Sequence, residues 1–139
     1  LLSADSDFLE RFRRRVPIWN VNGLAEAFLR SVGNYRDEFT LSCELVRRTC
    51  QEFYQLLSMV PGLEPIEPDA NFVFCKITTP GLTAAQLARE IYVDHGILIK
   101  DCTAKSMPNA DAYLRIASRT PADNRRLIEV LTDSRLNAR

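Results

Sequence analysis

The clearest pattern runs through the middle of the chain. Phe39, Cys43, Val46, Cys50, Phe53 and Leu57 recur at alternating steps of four and three. That spacing draws one continuous apolar stripe along an α-helix over residues 36–59. Arg36, Glu44, Arg47, Arg48 and Glu52 fill its other faces, and Pro61-Gly62 ends it. Two shorter helices are expected before it. Over 5–15, Phe8, Leu9 and Phe12 share a face, Asp5 or Ser6 can cap, and Val16-Pro17 stops the helix. Over 22–32, Leu24, Ala25, Phe28 and Leu29 are apolar, and Gly33-Asn34 reads as a left-handed cap.

Beyond residue 61 the period changes. A short strand is expected over 62–66 and a longer one over 71–77, which is rich in strand-forming residues. Thr83 followed by Gln86 is a capping box, opening a helix with Leu87 and Ile91 inward that Gly96 closes near residue 95. Ile97-Leu98-Ile99 reads as a short buried strand, 100–111 as a polar loop, and Tyr113–Ala117 as an alternating strand. Thr120-Pro121 then starts a last helix, with Leu127, Ile128 and Leu131 inward. The order strand, strand, helix, strand, strand, helix predicts an α+β layer. It has a small antiparallel or mixed sheet with helices on one face, preceded by helices that include one long one. We expect residues 1–35 to be a helical lead-in segment and 36–139 the compact domain.

Composition changes this picture little. The 139 residues are 46% hydrophobic and 26% charged, with 18 basic and 18 acidic side chains. A zero net charge argues against nucleic acid or an anionic membrane as partner. The run Arg11, Arg13, Arg14, Arg15 reads as the solvated face of the first helix. No stretch reaches the roughly 18 apolar residues of a membrane span, and no signal-peptide order is present. Cys43, Cys50, Cys75 and Cys102 form no CxxC pair and only one His accompanies them, so zinc spacing is absent. Free thiols in a reducing cytoplasm are expected, with Cys43 and Cys50 as small core hydrophobes on the long stripe.

Candidate chemistry is sparse. There is no Gly-rich phosphate loop and no GxSxG elbow. His95 falls at a helix C-terminus, where a structural role suits it, and Asp101 beside Lys100 reads as a loop pair. Arg115 stands in a strand whose neighbours Leu114 and Ile116 point to the other face. It is either a solvated edge residue or a fork aimed into a cleft. The residues alone leave both open.

Five blocks in order carry a resemblance over nearly the whole chain. They are Pro17-Ile18-Trp19-Asn20-Val21-Asn22, Ala70-Asn71-Phe72, Gly96 to Asp101, Tyr113 to Ala117, and Asp123-Asn124 with Leu127. Together they resemble class I/II aminotransferases dependent on pyridoxal 5'-phosphate (PLP), in the branch of histidinol-phosphate aminotransferase and threonine-phosphate decarboxylase. The Pro-Ile-Trp-Asn form is also similar to aminotransferase halves fused to a sugar- or choline-type nucleotidyltransferase.

The resemblance implies a small C-terminal domain that closes over an amino-acid or amino-acid-phosphate substrate. A large N-terminal domain would hold PLP, and the whole would be a homodimer. It implies that the Schiff-base lysine precedes Leu1, because Leu1-Leu2-Ser3 resembles the residues just after the family's Gly-x-Arg-x-Gly-Tyr run. The chain alone is then expected to be inactive, with no stable aldimine at Lys76, Lys100 or Lys105. Arg115 matches the arginine that holds the substrate α-carboxylate, which favours the cleft reading. Lys100 stands where relatives carry an arginine that touches the substrate phosphate or distal acid. Asn20, with Asn22, matches a segment near the active-site mouth, although a cap or turn role serves both equally. Asn71 is expected to be structural. The rival reading is a stand-alone, ferredoxin-like module that binds amino acids and regulates enzymes. Its weakness is that such a module has no use for residues 1–60.

Overall fold

The computed structural model describes residues 5–13 and 21–137. Helix α1 (Ser6–Arg13) starts where Asp5 accepts the Phe8 N–H at 3.0 Å. Helix α2 (Gly23–Val32) is capped by Asn22, whose side chain accepts the Ala25 N–H at 2.9 Å. A 3₁₀ turn (Gly33–Tyr35) runs from there into the long helix α3 (Arg36–Ser58). Next come strands β1 (Leu63–Ile66) and β2 (Phe72–Ile77), helix α4 (Ala84–His95), strands β3 (Lys100–Asp101) and β4 (Tyr113–Ala117), and helix α5 (Pro121–Asp133). The chain divides into two compact units, Leu1–Thr40 and Leu41–Arg139.

The sheet lies in the second unit. Its order is β1-β2-β4-β3 and every pair is antiparallel, so the fold is α+β, as the order of elements predicts. One face is the core. Val73, Cys75 and Ile77 of β2 and Leu114 and Ile116 of β4 are buried there with Leu87 and Ile91 of α4, and Leu127 and Leu131 of α5. Cys50, Phe53 and Leu57 of α3 join the same cluster. The alternation of β2 and β4 therefore points half of each strand away from the helices.

Local signals set the helix ends. Thr83 and Gln86 form both bonds of the capping box, at 3.0 and 3.3 Å. Gly96 closes α4 with φ +67°, the left-handed conformation that glycine adopts freely. Thr120 caps α5, and Pro121 opens it. Gly62 turns the chain from α3 into β1 with φ +80°, and a Cβ there would lie 2.7 Å from the Leu136 carbonyl oxygen. Only glycine fits that approach.

Four expectations need correction. Gly33 is right-handed, with φ −61° and ψ −26°, so no left-handed cap ends α2. Glycine permits that conformation without imposing it, and here the backbone keeps winding into α3. The α3 stripe is buried only at Cys50, Phe53 and Leu57, whereas Phe39, Cys43 and Val46 are exposed. Periodicity names a face without saying how far along the helix an apolar layer lies against it. Cys43 is therefore no core residue. Ile97-Leu98-Ile99 is not a strand: Ile99 is buried, but Leu98 is 82% exposed. The ladder begins one residue later, at Lys100, because β4 supplies partners only for Lys100 and Asp101. The expected loop over 100–111 thus holds a strand, and it buries Cys102 and Ala110. The expected stop at Val16-Pro17 and the candidate Asn20 lie outside the described residues.

All four cysteines are free thiols. Burial pushes the Cys75 thiol up to about 12 from 9.0. The folded state keeps a proton that the unfolded chain loses near pH 9. This contribution to stability is complete below pH 9 and is lost as pH rises towards about 12, at up to about 1.4 kcal/mol per pH unit. Urea titrations between pH 8.5 and 10.5 should show stability falling faster with pH in the native sequence than in Cys75→Ala. Equal slopes would remove Cys75 as the cause.

Candidate functional site

The sheet face turned away from the helices carries the candidate chemistry. In β4 the core side is Leu114 and Ile116, so Tyr113, Arg115 and Ala117 point to the open side. Register then assembles a row across all four strands. Ile66 pairs with Phe74, Phe74 with Arg115, and Arg115 with Lys100. Antiparallel partners of this kind stand about 5 Å apart between Cα atoms. The structure thus brings Arg115 and Lys100 side by side, although 14 intervening residues separate them in sequence.

Arg115 is exposed, and its Cζ lies 5.2 Å from the centre of the Phe72 ring. That is within cation–π range. Among the described residues no carboxylate pairs with it. Lys100 is half-exposed, with its Nζ 3.7 Å from Asp101 Oδ2. Asp101 is not a loop residue but part of β3. A hydrogen bond from Thr103, with a smaller effect from the Lys100 charge, holds its carboxyl below the usual carboxylate range. It therefore stays ionised beside Lys100 at neutral pH.

The open face also holds aromatic groups that motif reading passes over. Phe74 and Tyr113 stack at 4.9 Å with planes 10° apart. Phe72 is half-buried on the same face. A signal for them exists. In 72–77 one alternating set is Val73, Cys75 and Ile77, and the other is Phe72, Phe74 and Lys76, so two aromatic residues share the face of the one polar residue. A fully solvated face would be polar throughout, so two phenylalanines there are the signal.

Other candidates fall to structural roles. Asn71 accepts the Ser118 N–H at 3.0 Å through its backbone oxygen, extending the β2–β4 contact. Asn124 is 4% exposed and is held in the β4–α5 turn. Its Oδ1 accepts the Arg119 N–H at 2.8 Å, and its Nδ2 donates to Ser118 Oγ and the Arg119 carbonyl at 3.3 Å. Asp123 sits in the first turn of α5 with its N–H donated to Thr120 Oγ1, and Arg119 is 3.3 Å from its carboxylate. His95 is exposed at the end of α4, and its carbonyl accepts from Arg126 at 3.2 Å.

The three lysines show whether the chain could hold PLP by itself. Lys76 Nζ lies 3.7 Å from Glu64, Lys100 is paired with Asp101, and Lys105 is exposed in the turn after β3. These are surface cations with anionic neighbours or open water. A Schiff-base lysine needs a dehydrated pocket or a cationic neighbour; Lys100 has Arg115 across the ladder, but it stands in the open and the carboxylate of Asp101 offsets that charge. The described residues of this chain do not fit PLP, and no helix among them is long and apolar enough to cross a membrane.

Comparison with known proteins places this arrangement. No protein-family profile matches the chain. It is 39% identical over 131 residues to the CMP-5'-(3-aminopropyl)phosphonate synthase of Streptomyces rubellomurinus, covering 94% of this chain and 21% of that protein. It is 29% identical over 129 residues to the histidinol-phosphate aminotransferase of Methanothermobacter thermautotrophicus, covering 92% of this chain and 34% of that one. The L-threonine-O-3-phosphate decarboxylase of Porphyromonas gingivalis superposes with a TM-score of 0.71 at 26% identity, over 92% of this chain and 38% of its own. The chain therefore spans between a fifth and two fifths of the length of these proteins. The chain's homologues and structural neighbours thus include histidinol-phosphate aminotransferase and threonine-phosphate decarboxylase, members of the class I/II, PLP-dependent aminotransferase family, and it is similar to part of the length of these proteins.

Proposed function

We propose that this chain is the C-terminal, substrate-closing domain of a PLP-dependent enzyme that acts on an amino acid or an amino-acid phosphate. In this reading residues 1–35 lead from a large domain that holds PLP, and residues 36–139 form the closing domain. The full enzyme is a homodimer. The observation that carries the reading is Arg115: exposed, without a carboxylate partner among the described residues, and set beside Lys100 on the sheet face turned away from the core helices.

The chemistry of the chain's own residues is then binding and orientation. Arg115 donates two parallel hydrogen bonds to the substrate α-carboxylate, a geometry that only a planar guanidinium offers. Such a two-point grip fixes the direction of the Cα–H and Cα–carboxyl bonds, and fixed orientation supplies several kcal/mol of a barrier. Lys100, next to it, meets the distal anion as a point charge. Asn20, outside the described residues, enters this reading through the resemblance alone. PLP, held elsewhere in the enzyme, supplies the electron sink.

Decarboxylation is a second reading, with its own support. A decarboxylase is among the superposed structures, and the synthase relative is named for a 3-aminopropyl product, an amine with no carboxylate beside it. The same relative's CMP-phosphonate name supports an anionic phosphate–phosphonate anhydride as the distal group at Lys100. A stand-alone regulatory module has no comparable support, since the chain's relatives are enzymes that it matches in part. The test is turnover by the full-length protein with Arg115→Ala while bound PLP is measured in parallel. An unchanged rate would remove Arg115 from the substrate.

A further inference from the structure

The grip on a carboxylate needs more than an arginine. A free Arg side chain loses rotamer entropy when it is held in one geometry. Part of that cost disappears if the protein fixes the guanidinium before the substrate arrives. Among the described residues no acidic side chain does this for Arg115. Phe72 does, with its ring centre 5.2 Å from Arg115 Cζ.

Strand register explains the contact. Phe72 stands opposite Ala117, whose methyl leaves the space above it open. The Phe72 ring therefore reaches diagonally to the residue two positions earlier on the same strand, which is Arg115. Two residues further along β2, Phe74 is the direct partner of Arg115. Phe74 is itself stacked on Tyr113 at 4.9 Å. The two rings lean the same way along β4, Phe72 to Arg115 and Phe74 to Tyr113, so each takes a different partner.

We propose that Phe72 is a positioning residue for substrate, its ring holding the Arg115 guanidinium on the open sheet face and setting the plane in which a carboxylate is accepted. The proposal rests on the reading of Arg115 as the carboxylate grip. Phe72 touches no reacting atom and acts through Arg115. Leucine at 72 keeps the bulk and strand fit while removing the π face, and tyrosine keeps the π face.

Phenylglyoxal labelling of the full-length protein, with peptide mass mapping, tests the proposal without a known substrate. Exposed Arg119 and Arg125 serve as internal references. Phe72→Leu should label Arg115 about two- to fivefold faster relative to those references, the range of one exposed cation–π contact. Phe72→Tyr should stay within about twofold of the native protein. A second arm uses O-phospho-L-serine as a carboxylate-bearing probe. Its half-protecting concentration at Arg115 should rise about two- to fivefold in Phe72→Leu and return in Phe72→Tyr. Equal labelling ratios in Phe72→Leu and the native protein would overturn the proposal, as would an equal loss in both variants. Absence of protection in the native protein would overturn the carboxylate reading instead. The contact between Phe72 and Arg115 is judged by the labelling ratio alone.

Discussion

Replacing Arg115 by alanine in the full-length enzyme should lower kcat/KM about a hundred- to a thousandfold and leave PLP bound. The magnitude comes from the bonds the side chain offers. Truncating one partner of a charged, bidentate hydrogen-bonded pair costs about 2–5 kcal/mol in a desolvated site, and about 1.4 kcal/mol is tenfold in rate. Both the grip and the orientation it enforces are lost, so kcat falls along with the rise in KM. Arg115→Lys should recover only part of the loss, because an ammonium cannot make two parallel bonds to one carboxylate. The fold should survive, since Arg115 is exposed and both its strand neighbours keep their places in the core. Retained PLP absorbance with lost turnover is the expected pair of results. Full activity in Arg115→Ala would return Arg115 to the status of a solvated strand residue.

Leu114→Ala should be the most damaging single truncation near the site, costing about 3–4 kcal/mol. Leu114 is fully buried in β4, with Cys75 of β2 on one side and Asp101 of β3 on the other. Removing its side chain leaves a cavity between the sheet and the helices, and β4 is the strand on which two-residue β3 depends for its pairing. The effect should reach function through position, because β4 carries Arg115 and holds Lys100 in register beside it. Equilibrium urea unfolding measures the loss; a change below about 1 kcal/mol would show that the site collapses without strain. Domains hold only about 5–15 kcal/mol in all, so a loss of the expected size is a large fraction of it.

An element is legible in the sequence to the extent that its cause is local. The cap at Thr83, the glycine at 96 and the Thr120-Pro121 start are set by residues within one turn, and all appear where the sequence places them. Strands β2 and β4 are long enough for period-two alternation to declare both faces. Strand β3 is not. Its two residues are a strand only because β4 lies beside them, and nothing in Ile97-Leu98-Ile99 tells where that ladder begins. The same limit hides the site. Arg115 is visible in its own strand, but its neighbours Lys100, Phe72 and Phe74 come from two other strands and are fixed by pairing register. The α3 stripe makes the complementary point, since its exposed first half and buried second half share one sequence pattern.

In the proposed division of labour this chain grips substrate and the rest of the enzyme holds PLP. Borohydride reduction of the full-length protein with PLP, followed by peptide mapping, measures that division directly. The expected result is one lysine labelled to completion outside these 139 residues, with only scattered, substoichiometric label on Lys76, Lys100 and Lys105. Complete labelling of any one of those three would contradict it, because the chain would then carry a PLP site of its own.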